Sequence, residues 1–365
     1  MTDLFRAESE EAALEDLHTR GLTDGLPVVI PTPDRVSQMV LASGQEADMV
    51  LGTMGPGHGL ATMEKVAVAA VMAGCLPDYM PIVVAAVKAV IEPVFDLTEM
   101  QATTHCTAPL IIVNGPARIS CGPVSSGYGA LGPGHRANAS IGRALRLTMM
   151  NIGGARPGAS DMALLGHPGK FTYCLAEDEE NSPFPPLHTT LGFGKEDSVV
   201  TVIGAEAPHS VIHSGDGDDP KQHEGLLDML AIGVANPATN NAMLSSGTAT
   251  VVLNPEHAGI LHRAGLSRED IAAEICERCQ HPNAELHQLS PGFAPSQAGV
   301  RKAFRSPEQL LILMAGGSGL YSMVMPSWCA GTHRNSPSSS LVDFEFACEI
   351  PGAELNRSAS PYAKA

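Results

Sequence analysis

PLIIVNG, residues 109–115, decides the fold. Four consecutive large aliphatic residues, three of them β-branched, end in Asn114-Gly115, a turn signal. A run this short with no polar alternation reads as a strand buried on both faces. Working outward, SVVTVIG (198–204), ATVVL (249–253) and LLILM (310–314) carry the same signature. Between them lie helical patterns. ATMEKVAVAAVMAGC (61–75) is apolar on nearly every face, as a helix inside a layered domain would be, and PIVVAAVKAVIEPV (81–94) reads as a second such helix or a helix–strand mixture. ASIGRALRLTMMN (139–151), NPEHAGILHRAG (254–265) and SREDIAAEICERC (267–279) are further helices, the last opened by Ser267 with Asp270 in a near capping box. TDGLPVVIPTPDRV (23–36) reads as an extended entrance loop, and AGGSGLYSM, after LLILM, as a Gly-rich turn leading into a helix.

The pattern predicts an α/β fold with mixed sheets, buried helices and two domains. Residues 1–20 form an acidic helix, 21–213 a Gly/Arg-rich α/β domain, and 214–330 a second α/β domain. The boundary falls in the polar stretch SGDGDDPKQHE (214–224), and 331–365 is a tail with one strand, LVDFEFAC (341–348). GPGH occurs twice, at 55–58 and 132–135, each time ahead of a helical pattern.

The 365 residues are 44% hydrophobic and 17% charged, which excludes bulk disorder. Aromatic content is 4% with one Trp, and the net charge is −17, so base-stacking and phosphate-backbone binding are disfavoured and no nucleic-acid partner is expected. The acidic start is no secretory signal and no apolar stretch is long enough to span a bilayer, so a cytoplasmic protein with no membrane partner is expected. Eight scattered cysteines read as reduced thiols. Residues 100–160 contain no Asp or Glu, where average content would put about six. They hold Arg118, Arg136, Arg143, Arg146, Arg156 and ten glycines. Gly-rich turns ahead of a helix converge backbone N–H groups, and arginine forks suit carboxylate or phosphate oxygens. This enclave is the candidate site for a small anion.

Gly132, Gly134, His135, Arg136, Asn138, Arg143 and Arg146 are the candidate anion-binding residues, the arginines being spaced to project to one side of a helix. Asn138 also suits a helix cap. His105, in QATTHC just before the 109–115 strand, is the candidate acid/base. Glu64 and Lys65 open a buried helix and are candidate proton-transfer groups, as are Asp161 and Lys170 in the second Gly-rich stretch. Cys75 is a candidate nucleophile that also fits as a small buried hydrophobe. The acidic run Glu177–Asp178–Glu179–Glu180 reads as a solvated face or a cover for the arginines. The cofactor is left unassigned, with a divalent metal as a weak candidate and Glu206, His209, His213, Asp216 and His223 as weak ligands in no closed zinc spacing. The lone Cys276-x-x-Cys279 falls inside a helix and reads as packing.

TDGLPVVIPT, EKVAVAAVMAGC, QATTH, GPGHRANASIGRALRL, NIGGARPGASDMA and CLAEDEENSP together resemble an uncharacterised group of bacterial proteins that begin with a TDGLPVVPPT-like segment. The resemblance spans roughly 20–320 and implies no activity and no catalytic roles. Cys106, Cys276 and Cys279 lie outside its motifs.

Three functions stay open on these residues. One is an enzyme of lyase or hydrolase type moving protons on a small anionic metabolite. Another is a cysteine-dependent enzyme using Cys75, Cys106 or Cys174. The third is a non-catalytic anion-binding or assembly protein, and Ala-, Gly- and Met-rich helices allow a homo-oligomer.

Overall fold

The computed structural model describes residues 4–215, 217, 219–294 and 296–344. Its strands are β1 (Val50–Met54), β2 (Gly59–Thr62), β3 (Ala108–Asn114), β4 (Cys174–Ala176), β5 (Val199–Ala205), β6 (His209–Ile212), β7 (Ala249–Leu253), β8 (Gln280–Pro282), β9 (Val300–Lys302), β10 (Leu310–Met314), β11 (Tyr321–Met325) and β12 (Ser338–Leu341). Two four-stranded mixed sheets dominate, in the orders β12-β5-β3-β4 and β10-β7-β11-β6. In the first, β3 runs parallel to β4 and antiparallel to β5. In the second, β7 is parallel to β10 and antiparallel to β11. The α/β class with mixed sheets and buried helices is as the sequence predicts.

The pleat explains why β3 is apolar throughout. Ile111 and Val113 point into a core built with the Met63–Ala73, Met80–Ile91 and Arg136–Asn151 helices. Leu110 and Ile112 point the other way, onto Leu311, Leu313, Val252 and Met325 of the second sheet. On that sheet's far face, Val251, Leu253, Ile312 and Val324 pack against the Gln222–Val234 and Arg268–Arg278 helices. The order is therefore helices, sheet, sheet, helices, with β3, β5 and β7 buried on both sides. Burial of each such side chain contributes about 1.5–3 kcal/mol.

Sequence position does not follow the sheets strictly. β6 precedes residue 214 yet belongs to the second sheet, and β12, from the tail, returns to the edge of the first. Of the expected strand 341–348 only Leu341 is in β12, and residues from 345 onward lie outside the described residues. Two elements differ from expectation. The segment after Gly319 is not a helix: Tyr321–Met325 is strand β11, with Ser322, Val324 and Met325 buried. Residues 33–42 are a helix rather than loop, because Pro33 occupies its first turn and the Thr32 hydroxyl accepts from Arg35 N.

The two GPGH copies do different work. The first is the turn of the β1–β2 hairpin, packed on the loop after Asn151: Gly57 N donates to Gly153 O at 2.7 Å, and a Cβ on Gly59 would lie 2.0 Å from Ile152 O. The second directly precedes the Arg136–Asn151 helix.

The run 177–180 is not a solvated face, and it does not cover the arginine cluster of the Arg136–Asn151 helix. Glu177 is fully buried and accepts from Arg268 NH2 at 2.8 Å, Asn114 Nδ2 at 2.6 Å and Leu187 N at 2.7 Å. Glu179 and Glu180 pair with Arg118. The carboxylates belong to a network that ties the end of β4 to the helix behind the second sheet, since Arg268 also donates to Ile312 O of β10. Ser267 and Asp270 form the capping box expected at the start of that helix.

Candidate active site

The antiparallel register of β3 and β5 pairs Ala108 with Ala205, so the segment entering β3 and the residue leaving β5 meet at one end of the sheet. There His105 Nε2 lies 2.8 Å from Glu206 Oε1, both side chains being largely buried. Glu206 is held by its backbone: its N–H donates to Pro326 O at 3.0 Å and its carbonyl accepts from the Tyr173 hydroxyl at 2.8 Å. The preceding carbonyl, Ala205 O, lies 3.2 Å from His167 Nε2. Gly169 N donates to His167 Nδ1, so the proton of this ring sits on Nε2 and points at Ala205 O. Burial pulls the His167 pKa down, which keeps the ring neutral.

Hydrogen bonding likewise orients the His105 ring. A carboxylate on Nε2 places a ring proton there and selects the tautomer whose lone pair is on Nδ1. That Nδ1 is buried with no hydrogen-bond partner.

Beside this pair, the loop that begins at Asp161 folds against the helix carrying Arg146. Leu164 N donates to Thr104 O at 3.0 Å and ties the loop to the His105 segment. Arg146 NH2 lies 2.9 Å from Asp161 Oδ2, and Lys170 Nζ is 2.9 Å from Asp161. Burial acts to raise the Asp161 pKa, but the hydrogen bond and charge of Lys170 together with Arg146 prevail and hold it below its ordinary value. Burial lowers the Lys170 pKa, and Asp161 opposes that shift. A narrow cleft with room for about one water-sized body is lined by Thr107, Ala108, Leu145, Arg146, Gly169 and Lys170, among others. Gln101 Nε2 and Thr107 Oγ1, both buried, have no partner either. Cys106 is half-buried here. Burial and the Glu206 carboxylate push its thiol pKa up more strongly than Lys170 pulls it down.

Of the residues singled out in the sequence, the structure thus brings together Arg146, Asp161 and Lys170; the His105–Glu206 pair is tied to the same loop through Leu164 and Thr104, and His105 is not itself in the cleft lining. Asp161, squeezed between two cations, is a counter-ion rather than a base. The three arginines of the 136–151 helix do not converge. Arg136 donates to Gly74 O, and Arg143 pairs bidentately with Asp24 at 2.7 and 2.8 Å while also reaching Leu26 O and Pro27 O. Asn138 is no cap: its buried amide holds Ser125, Ala130 O and Cys174 O in place. His135 Nε2 lies 2.9 Å from Tyr128 O, Gly132 N donates to Gly129 O, and Gly134 takes a left-handed turn before the helix. Cys75 is buried against Ser140, and burial pushes its thiol up to about 12. Lys65 donates to Leu60 O, and Glu64 lies beside it in the first turn of the Met63–Ala73 helix; neither is in the cleft lining.

The weak metal ligands are scattered. Glu206 pairs with His105, His209 is exposed on β6, His213 meets the His257 ring edge to face, His223 sits 3.6 Å from Glu224, and Asp216 lies outside the described residues. Among the described residues no group of three or more His, Cys, Asp and Glu could hold a metal ion. Cys276 and Cys279 are buried and pack against Phe304 O and Ala231 O. No described helix is long and apolar enough to cross a membrane.

Sequence reasoning named Glu206 only as a weak metal ligand and gave His167 no defined role. The available signal was positional: Glu206 is the first charged residue after the β5 run, as His105 is the last titratable side chain but one before β3.

No family model matches this chain. No curated protein matches it either.

Proposed function

We propose that the protein is an enzyme of lyase or hydrolase type that moves a proton on a small anionic substrate, with His105 as the base. Glu206 fixes the His105 tautomer and stabilises the imidazolium formed when Nδ1 takes a proton. Arg146 holds the anion, and Lys170 offsets negative charge that develops next to it. The single observation that carries this reading is the buried, unpartnered Nδ1 of His105 opposite a carboxylate-bound Nε2. The two cations against one carboxylate beside it supply the attraction for an anion. The thiol alternative is less favoured, because the most accessible cysteine of the seven described has its pKa raised, not lowered. We place the protein in the cytoplasm, the setting in which scattered, reduced cysteines are the rule.

The test follows a panel of small organic and inorganic anions by NMR in D2O, reading consumption or carbon-bound hydrogen exchange. The expected result is turnover by the native protein that falls about 10²–10⁴-fold in His105→Asn and survives in Cys106→Ala. Loss in Cys106→Ala with full activity in His105→Asn would replace this reading with the thiol one.

A further inference from the structure

The second sheet ends in an open edge. Its order puts β6 outermost, paired on one side with β11 and, among the described residues, with no strand on the other. The register shows which main-chain groups are left over. His213 N donates to Leu320 O at 3.0 Å, so residues 209, 211 and 213 turn their N–H and C=O groups inward to β11. Ser210 and Ile212 therefore turn theirs outward. Edge strands are commonly blunted by Lys, by Pro, by a bulge or by a covering loop. β6 is His-Ser-Val-Ile in unbroken register with β11, and the side chains of His209, Ser210 and Ile212 are exposed.

Apolar side chains flank this edge on both faces of the sheet. On one face, Gly233 of the Gln222–Val234 helix lies over β6 so closely that a Cβ there would come 2.8 Å from Val211 Cγ2. Glu224 and Asp228 leave that helix on the flank where Arg278 pairs with them. At about 100° per residue, Gly225, Met229 and Ile232 fall on the opposite flank, the β6 side, and Ile232 is 63% exposed. On the other face, Ile212 pairs with Tyr321, which is 58% exposed, and Ser210 with Met323. These side chains prolong the face whose Val252 and Met325 pack against the first sheet, and they stay uncovered where that packing ends.

We propose that β6 pairs antiparallel with β6 of a second copy of this chain, about a two-fold axis normal to the sheet, joining two four-stranded sheets into one of eight strands. Such an axis keeps each face of the sheet continuous, so residues of like orientation must stand opposite one another. The register centred on Val211 does this. It sets Ser210 of each copy against Ile212 of the other, and the outward N–H groups of both copies meet the outward carbonyls in four hydrogen bonds. The same axis brings the two Met229–Ile232 flanks together above the joint, with Gly225 adding no side-chain bulk and Glu224 and Asp228 on the flank turned away. Ile212, Met229, Ile232, Tyr321, Met323 and the β6 main chain offer on the order of 600 Å² per copy, against about 800 Å² per partner in an interface of standard size. A second copy is favoured over an unrelated strand because each apolar flank then meets its own equivalent.

The test is sedimentation velocity of the full chain from about 1 to about 100 µM, together with hydrogen exchange read by mass spectrometry on the 209–213 segment. The expected mass rises with concentration toward twice that of the chain, and the Ser210 and Ile212 amides gain protection as it rises. Ile212→Lys at the edge and Ile232→Lys on the helix flank are each expected to weaken the dimer at least about tenfold. Both side chains are exposed in the single chain, and circular dichroism verifies that each variant is folded. Should one of them fail to fold, the other carries the comparison. A chain that stays monomeric at about 100 µM, a dimer undiminished in a folded variant, or exchange in the 209–213 segment that does not change with concentration would overturn the inference. A monomer that dimerises once residues 345–365 are removed would overturn it too, and would give the edge to the chain's own C-terminal segment.

Discussion

Asp161→Asn is expected to move stability and anion affinity in opposite directions. Asp161 is 3% exposed and lies 2.9 Å from both Arg146 and Lys170. Neutralising it leaves two largely buried cations without their counter-charge, which costs about 3 kcal/mol, the lower end for breaking a buried pair because the Asn oxygen still accepts one hydrogen bond. An anion bound across the same two cations would lie about 5–6 Å from Asp161, where like-charge repulsion at an effective dielectric of 20 is about 3 kcal/mol. Allowing half of that for screening, a small probe anion such as formate should bind about tenfold tighter to the variant. The pH must be chosen with care. Burial already lowers the Lys170 pKa and Asp161 is what opposes the shift, so in the variant it falls further, and a mildly acidic pH such as 6 favours the charged form. The native advantage in stability is itself pH-dependent. The Asp161 pKa is lowered on folding, so its contribution is full above the unfolded value of about 3.9 and is lost as pH falls through the lower folded value. Urea unfolding followed by circular dichroism, run at pH 6 and again near pH 3, and formate calorimetry at pH 6 measure all three effects. A stability loss below about 1 kcal/mol at pH 6, or formate binding that is unchanged or weaker, would refute Asp161 as the counter-ion of this cleft.

Arg268→Met strands the Glu177 carboxylate, which is fully buried, and should cost about 3–5 kcal/mol in urea unfolding. Adding Glu177→Gln removes the stranded charge and should recover at least about 1 kcal/mol; no recovery would show that the loss comes from Arg268 packing instead. Iodoacetamide at pH 8, applied to a Cys348→Ser background, should label Cys106 first. Cys75, Cys279 and Cys329, whose thiols burial pushes up to about 12, and the equally buried Cys121, Cys174 and Cys276 should stay protected until the chain unfolds. Native labelling of any of these at the Cys106 rate, read by peptide mass spectrometry, would contradict the packed cores around them.

The sequence by itself determined the strands whose apolar character is uninterrupted. LLILM and ATVVL coincide with β10 and β7 to the residue, because a strand sandwiched between a helix layer and a second sheet can expose nothing polar. β11 escaped, since YSMVM lies where the second sheet leaves Tyr321 and Met323 exposed, and its short alternation after a Gly-rich turn resembles a helix start. The acid-free window likewise located Arg146 correctly but not its companions. Helical spacing sets the side from which Arg136, Arg143 and Arg146 leave their helix; it cannot specify that Asp24, 119 residues from Arg143, captures one of them, or that Gly74 O takes another. Asp161 could be flagged as the first acid after the window, yet its role as counter-ion came only with the fold of the 161–170 loop. The His105–Glu206 pair shows the division most plainly. Each residue is legible as a polar side chain at the end of an apolar run, but 101 positions separate them, and only the antiparallel register of β3 against β5 makes them neighbours. Local composition dictates burial, because apolar surface must leave water wherever it lies in the chain. Which charges meet is set by strand pairing and layer packing, which are properties of the whole chain.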